Sequence, residues 1–183
     1  MTALVIGGSG SGKSAWAEDF LCRRCGKRQK YYIATMQVFG EEGQKKVERH
    51  RRMREGKGFL TIEQPLDIER AAAGLRREDA PGRAALLECV SNLAANEMFG
   101  EEGEIPCERV VERIVRGIGE LERQFSLLVI VTNNVFEDGI LYGASTLRYM
   151  EALGQINERL AKEAELVTEV SAGIPLVWKG AAQ

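Results

Sequence analysis

The stretch Gly7-Gly8-Ser9-Gly10-Ser11-Gly12-Lys13-Ser14 follows the apolar run Leu4-Val5-Ile6 and leads directly into Ala15-Trp16-Ala17-Glu18. Its spacing, Gly-x4-Gly-Lys-Ser after a strand signal and ahead of a helix signal, is a complete Walker A pattern in its proper setting. Glycines let backbone N–H groups converge on phosphate oxygens, and a helix start adds its positive dipole end. Lys13 is placed to neutralise β and γ phosphates, and Ser14 to offer its hydroxyl to Mg²⁺.

The remaining pattern extends this beginning into a βα alternation. Residues 4–6, 31–34, 84–88, 127–132 and 166–170 are short apolar runs expected to be strands. Residues 13–25, 44–54, 66–77, 92–99, 108–124 and 146–163 carry helical spacing. In residues 107–125 the apolar positions Val110, Val111, Ile114, Val115, Ile118 and Leu121 recur at three and four, the stripe of a helix lying on a sheet. Strands that are apolar throughout suit a sheet covered on both faces, hence a mainly parallel one. Residues 175–178 follow a turn-like Ala172-Gly173-Ile174-Pro175 and are expected to close the sheet as an edge hairpin. Residues 100–106 read as an exposed loop. The expected fold is an α/β P-loop NTPase with a RecA-like, mainly parallel sheet flanked by helices and a C-terminal edge hairpin. At 183 residues the chain suits a single domain spanning 1–183.

Charge and cysteine content narrow the function classes. A formal net charge of −2 argues against bulk attraction to nucleic acid or membranes. No apolar run approaches the roughly 20 residues that span a bilayer, and the first residues lack a secretory pattern, so the cytoplasm is the expected address. Cys22 and Cys25 form a Cys-x2-Cys pair, but Cys89 and Cys107 stand alone in other segments. Reduced, structurally neutral thiols fit this distribution better than a zinc site.

Two further positions carry chemistry. Glu88 ends an apolar run, which puts its carboxylate at the carboxyl edge of a strand, beside the phosphate loop and within reach of a bound Mg²⁺. The chain's one histidine, His50, lies in a segment from Lys45 to Lys57 with seven basic residues against two acidic ones. Arginines there could grip a polyphosphate while a neutral imidazole attacks phosphorus. On residue types alone, a solvated basic helix with an incidental histidine is the simpler account.

Taken in order, "LVIGGSGSGKSAWAE", "YYIAT", "VERHRRMR" followed by "FLTIEQP", "LLECVSNLAANEMF", "VTNNV" and "GQINERLAKEAELV" resemble the bifunctional adenosylcobinamide kinase and adenosylcobinamide-phosphate guanylyltransferase family of cobalamin biosynthesis. The resemblance spans nearly the whole chain, and its most specific element is a histidine between "YIAT" and Thr-x-Glu-x-Pro. It implies that His50 becomes guanylylated. It also implies that Ala34, Thr35 and Met36 contact GTP, and that Arg51, Arg52, Met53, Arg54, Glu63 and Glu88 help hold the nucleotide together with Gly7 through Ser14. Ser14 and Glu88 would hold Mg²⁺. GTP, or ATP for the kinase step, would be the donor, adenosylcobinamide the acceptor, and the enzyme a homo-oligomer of the family's trimeric kind.

The chain departs from the family pattern at Gly10, where arginine is frequent, and at Phe59, where tryptophan is frequent. It departs again at Asn133-Asn134-Val135-Phe136, where the family has Asn-Glu-Val-Gly. The last change deletes a carboxylate and implies a reshaped loop over residues 134–146. Nearby arginines would keep His50 unprotonated at neutral pH, below the usual value of about 6.5. Two other readings keep only the loop: a small-molecule kinase without nucleotidyl transfer, and a nucleotide-responsive binding module. The absence of an Asn-Lys-x-Asp guanine signature weakens a GTP switch.

Overall fold

The computed structural model describes residues 1–37, 48, 52, 54–100, 103–135, 140 and 142–181. Seven strands form one sheet in the order β3-β2-β4-β7-β1-β8-β9. They are β1 (Thr2–Gly7), β2 (Gln29–Ala34), β3 (Phe59–Glu63), β4 (Arg83–Glu88), β7 (Leu127–Asn133), β8 (Leu166–Ser171) and β9 (Ile174–Lys179). All neighbouring pairs are parallel except β8 with β9. The expected edge hairpin is therefore present. Its two-residue turn has positive φ at Ala172 (51°) and Gly173 (78°), the twist that suits a tight connection between paired strands.

Alternate residues of the central strands serve opposite cores. Leu4, Ile33, Leu87, Leu128 and Ile130 join one, and Val5, Tyr32, Leu86, Val129 and Val131 the other. The first is covered by α2 (Val90–Met98), α3 (Cys107–Glu122) and α4 (Ala144–Glu163), and the second by α1 (Lys13–Arg24). Along α3, Val110, Val111, Ile114, Ile118 and Leu121 are buried, as the spacing requires. Each such side chain contributes about 1.5–3 kcal/mol through burial. Cys25 lies in the α1-side core, where its Sγ donates to Cys22 O at 3.2 Å.

Two expectations are corrected and one strand is added. Residues 66–77 do not form an α-helix: 3-10 turns occupy Ile68–Ala72 and Arg77–Gly82. Asp67 and Gly74 sit at positive φ (47° and 79°) on either side of the first turn and stop a regular helix from propagating. The first turn lies against Gly117 of α3, where an added Cβ would stand 2.6 Å from Ile68 Cγ2. Residues 100–106 are not simply a loop, because β5 (Phe99–Gly100) pairs antiparallel with β6 (Gly103–Glu104). An unforeseen strand, β3, forms the sheet's far edge; Leu60 and Thr61 are exposed there, so it lacks the continuous apolar run of its neighbours. The helix expected over 44–54 lies largely outside the described residues, although Glu48, Arg52 and Arg54 are helical.

Candidate nucleotide-binding site

At the carboxyl edge of the sheet, β1 ends at Gly7, and α1 starts at Lys13 after Gly12 as N-cap, with φ 91°. The first turn of α1 contains no acidic residue, so its positive dipole end faces the loop. The loop is shaped by its own bonds: Ser11 N donates to Gly8 O (3.2 Å), Lys13 N to Ser11 Oγ (3.4 Å), and Trp16 N to Gly12 O (3.0 Å). It also leans on the C-terminal hairpin, whose Gly173 N donates to Ser11 O at 2.8 Å.

Gly7 is where this packing is tightest. A Cβ there would lie 2.6 Å from both Ser11 Oγ and Val170 O, and the second is backbone that cannot rotate away. Gly7→Ala is expected to weaken GTP binding at least about tenfold and to destabilise the fold by about 2 kcal/mol. Calorimetric titration and thermal melting check this; wild-type affinity in the variant would show that the loop does not depend on β8.

Lys13 is buried and its Nζ donates to Gly8 O at 3.0 Å. Burial lowers its pKa, while Cys89 and Glu88 act in the opposite direction. Ser14 Oγ donates to Glu88 Oε1, and Tyr32 Oη donates to Glu88 Oε2 at 3.1 Å. Burial, then the Glu88 charge, pushes the Tyr32 phenol above its ordinary pKa, which keeps it a donor. The Ser14 hydroxyl and Glu88 carboxylate are hard oxygen donors. Among the described residues no group of three or more His, Cys, Asp or Glu converges. Such a pair fits Mg²⁺, which usually takes few protein ligands and fills its shell with phosphate oxygens and water.

The register brings the other expected positions to the same edge. Ala34 at the end of β2 pairs with Glu63 of β3 on one side and Glu88 of β4 on the other. Thr35 is fully buried, and its Oγ1 both donates to Cys89 O and accepts from Cys89 N, at 2.8 Å each. Its hydroxyl therefore ties β2 to the end of β4 and is fully engaged there. Ala34 and Met36 on either side are half-buried.

Arg54 is buried, with its guanidinium carbon 3.4 Å from the centroid of the Tyr32 ring. Its Nη1 has no hydrogen-bond acceptor among the described residues. Arg52 is exposed, with Nη2 3.9 Å from Glu48 Oε2. A cavity of about 400 Å³ beside them is lined by Arg52, Arg54, Glu55, Phe59 and Thr61. Nearby, Lys57 Nζ donates at 2.7 Å to Glu18 Oε2, a carboxylate with no solvent exposure on α1. His50, Arg51 and Met53 lie outside the described residues, as does most of the altered 134–146 loop's centre, residues 136–139 and 141. Tyr32 was foreseen only as a core strand residue; the doublet Tyr31-Tyr32 next to Ala34-Thr35 was the available signal.

A glycine-rich loop between a central parallel strand and a helix, with a carboxylate on a strand one position removed, defines a P-loop nucleotide-binding protein. The single strand β7 between the loop-bearing β1 and the Glu88-bearing β4 is the RecA-like order. More particularly, the chain belongs to the cobinamide kinase / cobinamide phosphate guanyltransferase family, CobU, whose model matches residues 3–178. It is 31% identical over 181 residues to the bifunctional adenosylcobalamin biosynthesis protein CobP of Pseudomonas aeruginosa, covering 98% of each chain. It is 28% identical to the bifunctional adenosylcobalamin biosynthesis protein CobU of Escherichia coli K12, covering 95% of this chain and 97% of that one. Among solved structures, the flagellar accessory protein FlaH of Methanocaldococcus jannaschii aligns with a TM-score of 0.47 at 14% identity, covering 100% of this chain and 81% of the other. No helix among the described residues is long and apolar enough to cross a membrane.

Proposed function

We propose that residues 1–183 act as one domain that phosphorylates adenosylcobinamide and then transfers GMP from GTP to the product, by way of a guanylylated His50. The observation that supports it most directly is the Ser14–Glu88 pair at the mouth of the loop, joined through Tyr32 to Arg54 of the His50-bearing segment.

In the first reaction the terminal hydroxyl of the aminopropanol arm attacks the γ-phosphorus of GTP or ATP, its proton passes to solvent, and the bond to the β-phosphate oxygen breaks, releasing the nucleoside diphosphate. Lys13 and the N-terminus of α1 stabilise the charge spreading onto the phosphoryl oxygens. Bound Mg²⁺, held by Ser14 and Glu88, supplies further charge neutralisation. In the second reaction a ring nitrogen of His50 attacks the α-phosphorus of GTP and pyrophosphate leaves. A phosphate oxygen of the phosphorylated corrinoid then attacks the same phosphorus, releasing the imidazole. Two displacements through a covalent intermediate, the first by a neutral imidazole, replace one difficult step.

The test is incubation of the chain with GTP labelled at the α-phosphate, followed by denaturation. Protein-bound label that survives alkali and is lost in acid is the expected result, together with phosphorylation of adenosylcobinamide from γ-labelled nucleotide. Corrinoid phosphorylation with no protein-bound label would reduce the function to a kinase. Nucleotide binding with neither reaction would leave a binding module.

A further inference from the structure

Tyr32 is buried in the middle of the site, yet neither proposed reaction assigns it a role. Its two functional groups face different partners. The phenol Oη donates to Glu88 Oε2 at 3.1 Å, while Glu88 Oε1 accepts from Ser14. The ring face carries the Arg54 guanidinium at 3.4 Å, and Phe59 of β3 meets the same ring edge-on at 6.2 Å. A carboxylate whose two oxygens are each hydrogen-bonded is held in one orientation, and a cation stacked on a desolvated aromatic face is held in one plane. Arg54 remains oriented with Nη1 buried and without an acceptor among the described residues. A buried guanidinium N–H in that state is a donor awaiting an anionic oxygen. Tyr31, the neighbouring residue, points to the opposite core and packs edge-on against Phe125.

We infer that Tyr32 is the positioning residue shared by both halves of the site: its hydroxyl sets the Glu88 carboxylate for the Mg²⁺ side of the phosphate loop, and its ring seats Arg54 for the guanylyl-transfer segment. The second half of this inference rests on the two-reaction reading above; the first requires only that the loop binds Mg²⁺ and nucleotide. The two roles separate by chemistry. Tyr32→Phe removes the hydroxyl and keeps the ring, whereas Tyr32→Leu removes both.

The full-length chain and its Tyr32→Phe, Tyr32→Leu and Tyr31→Phe variants are titrated calorimetrically with GTP, once with Mg²⁺ and once with EDTA. The rate of α-label incorporation is measured in parallel, and thermal melting checks that each variant folds. In Tyr32→Phe the gain in GTP affinity conferred by Mg²⁺ is expected to fall about tenfold, with binding in EDTA unchanged and labelling at saturating GTP slowed less than in Tyr32→Leu. In Tyr32→Leu the same loss appears and labelling also slows at least about tenfold. Tyr31→Phe changes neither. A wild-type Mg²⁺ gain in Tyr32→Phe overturns the positioning of Glu88, and labelling as fast in Tyr32→Leu as in Tyr32→Phe overturns the seating of Arg54. Equal loss of binding with and without Mg²⁺ in Tyr32→Phe would mark a merely structural role and also overturn the inference. If wild type takes up no label, the two-reaction reading fails and the seat loses its purpose, while the calorimetric arm still decides the Glu88 half.

Discussion

Lys13→Ala is expected to lower corrinoid phosphorylation on the order of a thousandfold while leaving the fold intact. Lys13 opens α1 from a buried position, and its ammonium already donates to Gly8 O within the loop. That position is costly for a cation, as its lowered pKa records. The same desolvation makes its attraction to a triphosphate far stronger than it would be in water. On this reading an arriving phosphate oxygen replaces the Gly8 carbonyl as acceptor, and the ammonium follows the charge as the γ-phosphoryl group transfers. Arginine should not restore activity, because a planar guanidinium cannot occupy the space of a compact ammonium beside Gly8. Removing a desolvated cation should leave the melting temperature unchanged or raise it. Initial rates with γ-labelled GTP and a melting curve measure both quantities; a loss below about tenfold would mean that Lys13 does not contact the transferring group.

The second large effect is expected at His50. Asparagine there preserves a polar side chain of similar bulk but has no nucleophilic ring nitrogen. His50→Asn should therefore carry no α-label, a loss beyond about a thousandfold, while still phosphorylating adenosylcobinamide within a few-fold of wild type. Lys13→Ala shows the complementary loss of the kinase reaction. Covalent label retained by His50→Asn would move the nucleophile to another residue. Loss of both reactions would show that the histidine holds the nucleotide instead of attacking it.

Most of the architecture was legible because the central strands declare themselves. Leu127 to Val131 is apolar at every position, and a run of that kind has to be covered on both faces. Glu88 was legible for a related reason: a charged residue at the end of such a run can only be at the sheet's edge. β3 was not, since an edge strand needs no continuous apolar run and Leu60 and Thr61 are exposed. The misjudged helix over 66–77 shows helical spacing being overridden by two left-handed backbone positions, one of them the non-glycine Asp67, which no local pattern marks. Tyr32 was invisible as a site residue because its role exists only through register. Its strand must lie beside Glu88's in the register that pairs Tyr32 with Leu86, two residues before Glu88 and on the same face, for a phenol to reach the carboxylate. His50 was reached through family resemblance; its neighbours' charge alone favoured a solvent-facing helix.

The support that the C-terminal hairpin lends the loop bears on how the molecule comes into being. β1 precedes every other described strand in the chain, yet its two flanking partners begin at Leu127 and Leu166. The peptide group that braces Ser11 belongs to Gly173. A growing chain therefore carries the whole Walker A sequence without its sheet partners until residues 127–173 have followed it. The brace on Ser11 arrives only when the Ala172–Gly173 turn closes, so a product terminated before that turn would keep the motif and lack this support.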